Sequence, residues 1–285
     1  MQLLFVARNN VCGVWMRGAT TNTLGTAMLG ALASVLVACA AKAPPLLEGG
    51  EGASRGVPNR EAASHQPAEW RAAVDKLLIT PPGGDDWQPF LLPGKRYAAF
   101  EVDRRPGRAA LSVSADGSVS ILRKRFDKTL PEVDHIAFSW KVDGLPDDAH
   151  LGEAGKDDAP VRILLSFDGD RNKWTGRNHR MSEMSRLLTG EELPYATLMY
   201  VWANKHAPET VIVNARTDRI RKVVVESGAQ QVGHWRDYQR NIRADFIRAF
   251  GEEPGPLRAV AIMTDTDNTQ SSLRAWYGSM TLTAR

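Results

Sequence analysis

Asp168-Gly169-Asp170-Arg171-Asn172 sets oxygen-bearing side chains at alternate positions, as a loop that wraps a calcium ion does. A helix-loop-helix calcium loop also needs glycine at its sixth position and a bidentate glutamate at its twelfth. Lys173 and His179 stand there, which excludes that geometry. The run Asp265-Thr266-Asp267-Asn268 fails in the same way, with Gln270 and Trp276 at those places. Two readings stay open for both runs. One is a calcium site of another geometry, with Asp265 and Asp267 as its ligands. The other is a pair of turns closing buried strands, where Asp and Asn bond their own backbone.

Asp157, Asp158, Asp168, Asp265 and Asp267 all fall at expected strand ends. Two carboxylates about 5–10 Å apart there would serve glycoside hydrolysis. The six histidines (His65, His135, His150, His179, His206 and His234) show no metal-protease spacing. Nucleophile-elbow and phosphate-loop patterns are missing too, so no residue is assigned a catalytic role. Binding is therefore the leading expectation, with catalysis left open.

Aromatic rings give that expectation its substance. Trp174, Trp202, Trp235, Trp276 and Tyr277 lie in or beside strand ends, where a flat ring offers an apolar face to a sugar and polar neighbours fix its orientation. Arg162, Asn204, Lys205, Arg240 and Asn241 are such neighbours. The expected ligand-contacting set is therefore Asp168, Asp170, Trp202, Asn204, Lys205, Arg240, Asn241, Asp265, Asp267, Asn268 and Trp276. Core packing competes for each ring, because a buried tryptophan contributes several kcal/mol to a sandwich.

The elements that must position these residues are mostly strands. Ile136, Phe138, Trp140 and Val142 alternate with polar or small residues, and so do Val161, Ile163, Leu165 and Phe167. That period of two marks strands with one apolar face. Further strands are expected over 97–102, 109–114, 118–122, 196–202, 220–226, 235–242, 259–264 and 274–283, with a hairpin turn at Ala115-Asp116-Gly117. Ile242, Phe246, Ile247 and Phe250 share one helical face, and Gly251 is placed to cap it. A short helix is also expected over 67–79. About ten strands with one or two short helices predict an all-β, jelly-roll-type β-sandwich over residues 86–285.

Asp157-Asp158-Ala159-Pro160-Val161-Arg162, Tyr200-Val201-Trp202-Ala203-Asn204, Arg240-Asn241-Ile242, the run from Ala261 to Thr269 and Ala275-Trp276-Tyr277-Gly278 resemble an uncharacterised bacterial group, domain-of-unknown-function family 3047. The likeness spans roughly Trp87 to Leu282. It implies a domain boundary and lends no mechanism. The strand order is more distantly similar to galactose-binding-like jelly rolls, which include many carbohydrate-binding modules. Those relatives often carry an acidic residue in the last strand, and Ser279 stands there instead, against carrying over a structural calcium.

The start of the chain bears on location. Residues 1–38 contain no Asp or Glu, and Arg8 and Arg17 precede an apolar run from Leu24 to Val37. This is the layout of a secretory signal, and it is shorter than the ~20 residues a membrane-spanning helix needs. Leu36-Val37-Ala38-Cys39 resembles a bacterial lipobox, which implies cleavage before Cys39, acylation of that cysteine and a bilayer anchor. Ala40 at the next position points to the outer membrane, facing the periplasm. Translation from Met16 would give a more compact signal than from Met1. Residues 39–85, small, polar and Gly/Pro-punctuated at the start, read as a tether.

Two cysteines in 285 residues exclude a disulfide scaffold, and a net charge of +3 spread along the chain argues against nucleic acid as a partner. The expectation is an envelope lipoprotein with a glycan-binding or other ligand-binding sandwich. A hydrolase using strand-end carboxylates and a scaffold for an envelope protein complex stand as alternatives.

Overall fold

The computed structural model describes residues 78–79, 87–103, 108, 110–130 and 133–284. The signal segment, Cys39, the tether apart from residues 78–79 and the start of the expected 67–79 helix lie outside them. Leu78–Ile79, where that helix was to end, form β1, an extended pair running parallel to Met280–Thr281.

Two sheets pack face to face. The first contains β1, β3 (Glu101–Asp103), β4 (Ala110–Asp116), β6 (Val133–Val142), β11 (Arg236–Asn241) and β13 (Ser272–Ala284), ordered β11-β6-β13-β4-β3 with β1 beside β13. The second contains β2 (Gln88–Pro89), β5 (Val119–Leu130), β7 (Ala159–Phe167), β8 (Ala196–Ala203), β9 (Val211–Val213), β10 (Ile220–Ser227) and β12 (Leu257–Asp265). Its order is β2-β5-β12-β7-β8-β10-β9. This is the expected jelly-roll-type sandwich, and the alternating residues of β6 and β7 supply its inner faces. Ile136, Phe138, Trp140 and Val142 meet Val161, Ile163, Leu165 and Phe167 in one buried cluster. Across the gap Phe138 stacks on Tyr200 at 5.7 Å, and Tyr277 of β13 donates to the Met263 carbonyl of β12 at 2.6 Å.

Three details differ from the expectation. Asp116-Gly117-Ser118 carries the chain from the first sheet to the second, so it is a corner and not a hairpin, although Gly117 does take positive φ (49°) there. β8 and β10 run parallel, because β9 is laid down first at the edge and β10 returns between them. Helix α1 (Gly176–Thr189) was not located by periodicity. Its buried residues are Asn178 and Ser182, so it has no apolar stripe to read. Helix α2 (Ile242–Phe250) matches its apolar face, with Asn241 as N-cap and Gly251 left-handed at its end.

Pairing of β13 with β6 slips between Tyr277 and Met280, which are opposite Trp140 and Phe138. Gly278 lies in that bulge, where a Cβ would sit 2.2 Å from the Ser139 Oγ. Gly278→Ala is expected to cost about 1–3 kcal/mol by overpacking, read as a fall in thermal midpoint of about 2–4 °C per kcal/mol. Adding Ser139→Gly should recover part of the loss; no recovery would refute the steric cause.

Candidate ligand-binding site

The outward face of the second sheet is not uniformly apolar. In β7 the inward series Val161–Phe167 leaves Arg162, Leu164 and Ser166 on the other side, and in β12 the same logic turns Ala259, Ala261, Met263 and Asp265 outward. The antiparallel register sets Met263 opposite Arg162 and Asp265 opposite Ala159, which brings the start of β7 to the end of β12. Two polar segments more than a hundred residues apart thus meet.

They form a pocket of about 120 Å³ lined by Lys95, Asp157, Arg162, Asn214, Arg216, Asp265, Asp267 and Asn268, with Leu92, Val119 and Met263 as apolar neighbours. Arg162 is 3% exposed and donates to the Asp157 carbonyl at 2.6 Å, with its guanidinium 3.2 Å from Asp265 Oδ2. Lys222 of β10, wholly buried, donates to Asp157 Oδ2 at 2.6 Å. Lys95 pairs with Asp267. Asp158 accepts from both Asn268 nitrogens and from the Thr269 amide and hydroxyl, at 2.8–3.3 Å. Its oxygens are spent on holding the 267–269 turn.

The electrostatics follow from this crowding. Burial works to raise Asp157, but the Arg162 and Lys222 cations outweigh it and keep that carboxyl below its ordinary value. Burial lowers the Lys222 ammonium, with Asp157 opposing. Asp265 is the exception: burial, with Asp158 and Asp267 nearby, pushes it well above the usual carboxylate range despite Arg162. It also has a buried Oδ1 with no hydrogen-bond partner, as does Arg162 at Nε. Buried polar atoms are seldom left unpaired without a reason.

Asp158, Asp265 and Asp267 can bring one oxygen each within 4.8 Å of one another, the donor types of a calcium site. Calcium takes six to eight oxygens. Here Lys95 and Arg162 already neutralise two of the three carboxylates, and the turn occupies the third. Few of their oxygens are left free for the six to eight that calcium takes.

Of the residues singled out from sequence, the structure brings Asp157, Arg162, Asp265, Asp267 and Asn268 into this pocket. The rest of the expected ligand-contacting set lies elsewhere. Asp168 pairs with Arg258 at 3.0 Å, and Asp170 caps a short 3-10 turn, Arg171–Lys173, by accepting from the Asn172 amide. Trp202 is fully buried, its Nε1 donating to the Gly228 carbonyl. Asn204 ties down the Pro146 carbonyl at 2.6 Å, and Lys205 stands exposed near Asp148. Arg240 bridges Glu209 and Asp245, and Asn241 caps α2. Trp276 is half-buried on the outer side of the first sheet between Lys141 and Arg274, donating to Asp103. Lys95, Asn214, Arg216 and Lys222 carried no motif; only strand pairing and loop placement bring them in.

A family model described as Protein of unknown function (DUF3047) matches residues 85–281, and the chain belongs to that family. Comparison with curated proteins found no match. Among solved structures, the chain is similar to the xyloglucanase domain of NopAA, a type three effector from Sinorhizobium fredii, solved with cellobiose (10% identity, TM-score 0.39, covering 71% of this chain and 94% of that one). It is also similar to CBM28, a carbohydrate-binding module specific for non-crystalline cellulose (15%, 0.32, 73% and 100%). A third is the xylan-binding module CBM86 from Roseburia intestinalis (10%, 0.30, 66% and 84%). At these scores the sandwich rests on the strands of this chain.

Asp265 supplies a pH test. A raised folded value means that the native state keeps a proton the unfolded chain releases near pH 3.9. Its contribution is complete below that pH and is lost as pH rises through the folded value. Asp265→Asn, which keeps shape without charge, should therefore gain in thermal midpoint relative to wild type as pH climbs from 4 to 8. A pH-independent gap would refute a proton held there. Millimolar calcium should leave the midpoint of wild type within 1 °C of its value in chelator, on the order of measurement error.

Proposed function

We propose that this member of the DUF3047 family is a lipid-anchored binding protein of a bacterial envelope, whose polar pocket holds the end of a glycan. The supporting observation is the pair of unsatisfied buried atoms, Asp265 Oδ1 and Arg162 Nε, at a pocket where Asn214, Arg216 and Asn268 converge. A carboxyl, a guanidinium and two amides supply both acceptors and donors, which is what neighbouring sugar hydroxyls require. Lys95, Arg162 and Lys222 are each paired with Asp157, Asp265 or Asp267, which leaves the Arg216 guanidinium as surplus charge. Arg216 lines the pocket and has no ion-pair partner among the described residues. That surplus favours a sugar bearing its own carboxylate.

The same geometry argues for binding over hydrolysis. Two-carboxylate chemistry needs a second acid free to act as nucleophile or base. Asp157, Asp158 and Asp267 are each committed to a cation or a turn. The anchor rests on the Leu-Val-Ala-Cys motif ending at Cys39, with the chain after it as tether and residues from 86 onward as the binding domain. Several acyl chains on one cysteine would hold it stably at the membrane, facing the periplasm from the outer membrane.

Titration calorimetry with peptidoglycan fragments and acidic oligosaccharides is expected to show binding that Arg216→Ala weakens about tenfold, the loss of one charge-assisted contact of roughly 1.4 kcal/mol. No binding by wild type, or equal binding by the variant, would remove this reading. Intact mass of the mature protein should show a diacylated or triacylated Cys39 as first residue; an unmodified cysteine would remove the anchor.

A further inference from the structure

Helix α1 stands off the second sheet. It is tied down by polar contacts, Asn178 to Asp218 at 2.7 Å and to Thr217 at 2.8 Å, and Ser182 accepting from the Leu193 amide. None of its residues joins an apolar cluster among the described residues. Between helix and sheet lies a groove of about 540 Å³, within the usual 300–1,000 Å³ of small-molecule sites. Its floor is Phe90, Ile121, Leu164 and Ala261 of the sheet side, and Met181 and Met184 of α1 face it. It meets the polar pocket only at Leu92.

The rim is basic. Arg123 is held bidentate by Glu191 at 2.8 Å and lies over the Phe90 ring; Arg171 pairs with Glu192, and Arg258 with Asp168. Arg125 is different. It is 41% exposed and among the described residues pairs only with Glu191, at 3.5 Å, where Arg123 already occupies both oxygens. Next to the groove, α1 also exposes Leu187 (74%) and Leu188 (42%). Among the described residues the groove has one aromatic ring, Phe90, already covered by the Arg123 guanidinium, which is a poor stacking platform for sugars.

We propose that this groove binds a single-chain amphiphile with an anionic headgroup, its chain between Met181, Met184 and the sheet, its head on Arg125. Methionine adapts to a flexible chain without a fixed shape, and the surplus guanidinium selects the charge. A carboxylate and a phosphate head share this chemistry.

The test uses the full chain, with myristate, tetradecyl phosphate and the uncharged dodecyl maltoside as probes in calorimetry. Binding of myristate, of tetradecyl phosphate or of both, at least tenfold tighter than the maltoside, is expected, and the tighter of the two names the head. Arg125→Ala, at an exposed site that should not disturb folding, is expected to weaken the anionic probes at least fivefold. Met184→Glu is expected to abolish binding with an unchanged circular dichroism spectrum. Failure of wild type to bind either anionic probe, equal affinity for the maltoside, or unaltered binding by Arg125→Ala would overturn the proposal.

Discussion

Arg162 is the constraint around which the outer side of the second sheet is organised. A guanidinium shut away from water is costly unless opposing charge and hydrogen bonds surround it. The chain brings Asp157 from the residue run just before β7 and Asp265 from the end of β12, and Asp265 reaches it through the antiparallel β7–β12 register. Burial of Lys222 against Asp157 adds β10 to the same network, so Asp157 joins β7 to β10 while Arg162 carries the link on to β12. Removing that carboxylate would leave two interior cations unbalanced, which makes Asp157 structural before it is anything else.

This network also divides the face. Toward β8 and β10, Leu151 and Ile212 cover Met199, Val201 and Val224 in a small apolar cluster, sealed by the loop that Asp157 pins. Toward β5 and β12, Val119, Ile121, Ala261 and Met263 form a second apolar patch with Phe90 and Leu92 at its edge, and nothing of α1 fills it. Between the two lies the charged pocket. A sandwich whose inner core was already complete could leave this outer side to specialise, since the stability of the fold is carried by the aromatic and aliphatic layer around Trp140, Tyr200 and Tyr277.

Periodicity was sufficient wherever one face of a strand is dry and the other wet. β6, β7 and β13 showed it, and so did the amphipathic α2 with its glycine cap. It had nothing to offer in two cases. β8 is buried at all eight positions, so nothing in its pattern says that Trp202 faces inward and not toward a ligand. α1 buries two polar residues and no apolar ones, so its helical spacing is silent. The pocket was half visible. Asp157, Asp158, Arg162, Asp265, Asp267 and Asn268 could each be singled out as chemistry-bearing, but their meeting depends on which strands are neighbours, and alternation within a strand carries no information about its partner. Lys95 and Lys222 read as ordinary solvated lysines until the fold buries one and pairs the other.

A charge network built only for stability would be expected to saturate itself, because each unpaired buried donor or acceptor costs about 1–3 kcal/mol. Asp158 shows that this chain can do so: its two oxygens accept four hydrogen bonds from a single turn. Asp265, one strand end away and packed against the same turn, is left with a bare oxygen, and the guanidinium that partners it keeps a bare Nε. Both residues line the pocket, although these two atoms are themselves shut off from solvent. The contrast between a saturated and an unsaturated carboxyl within 4.8 Å of each other divides this cluster into a part closed on its own turn and a part that is not.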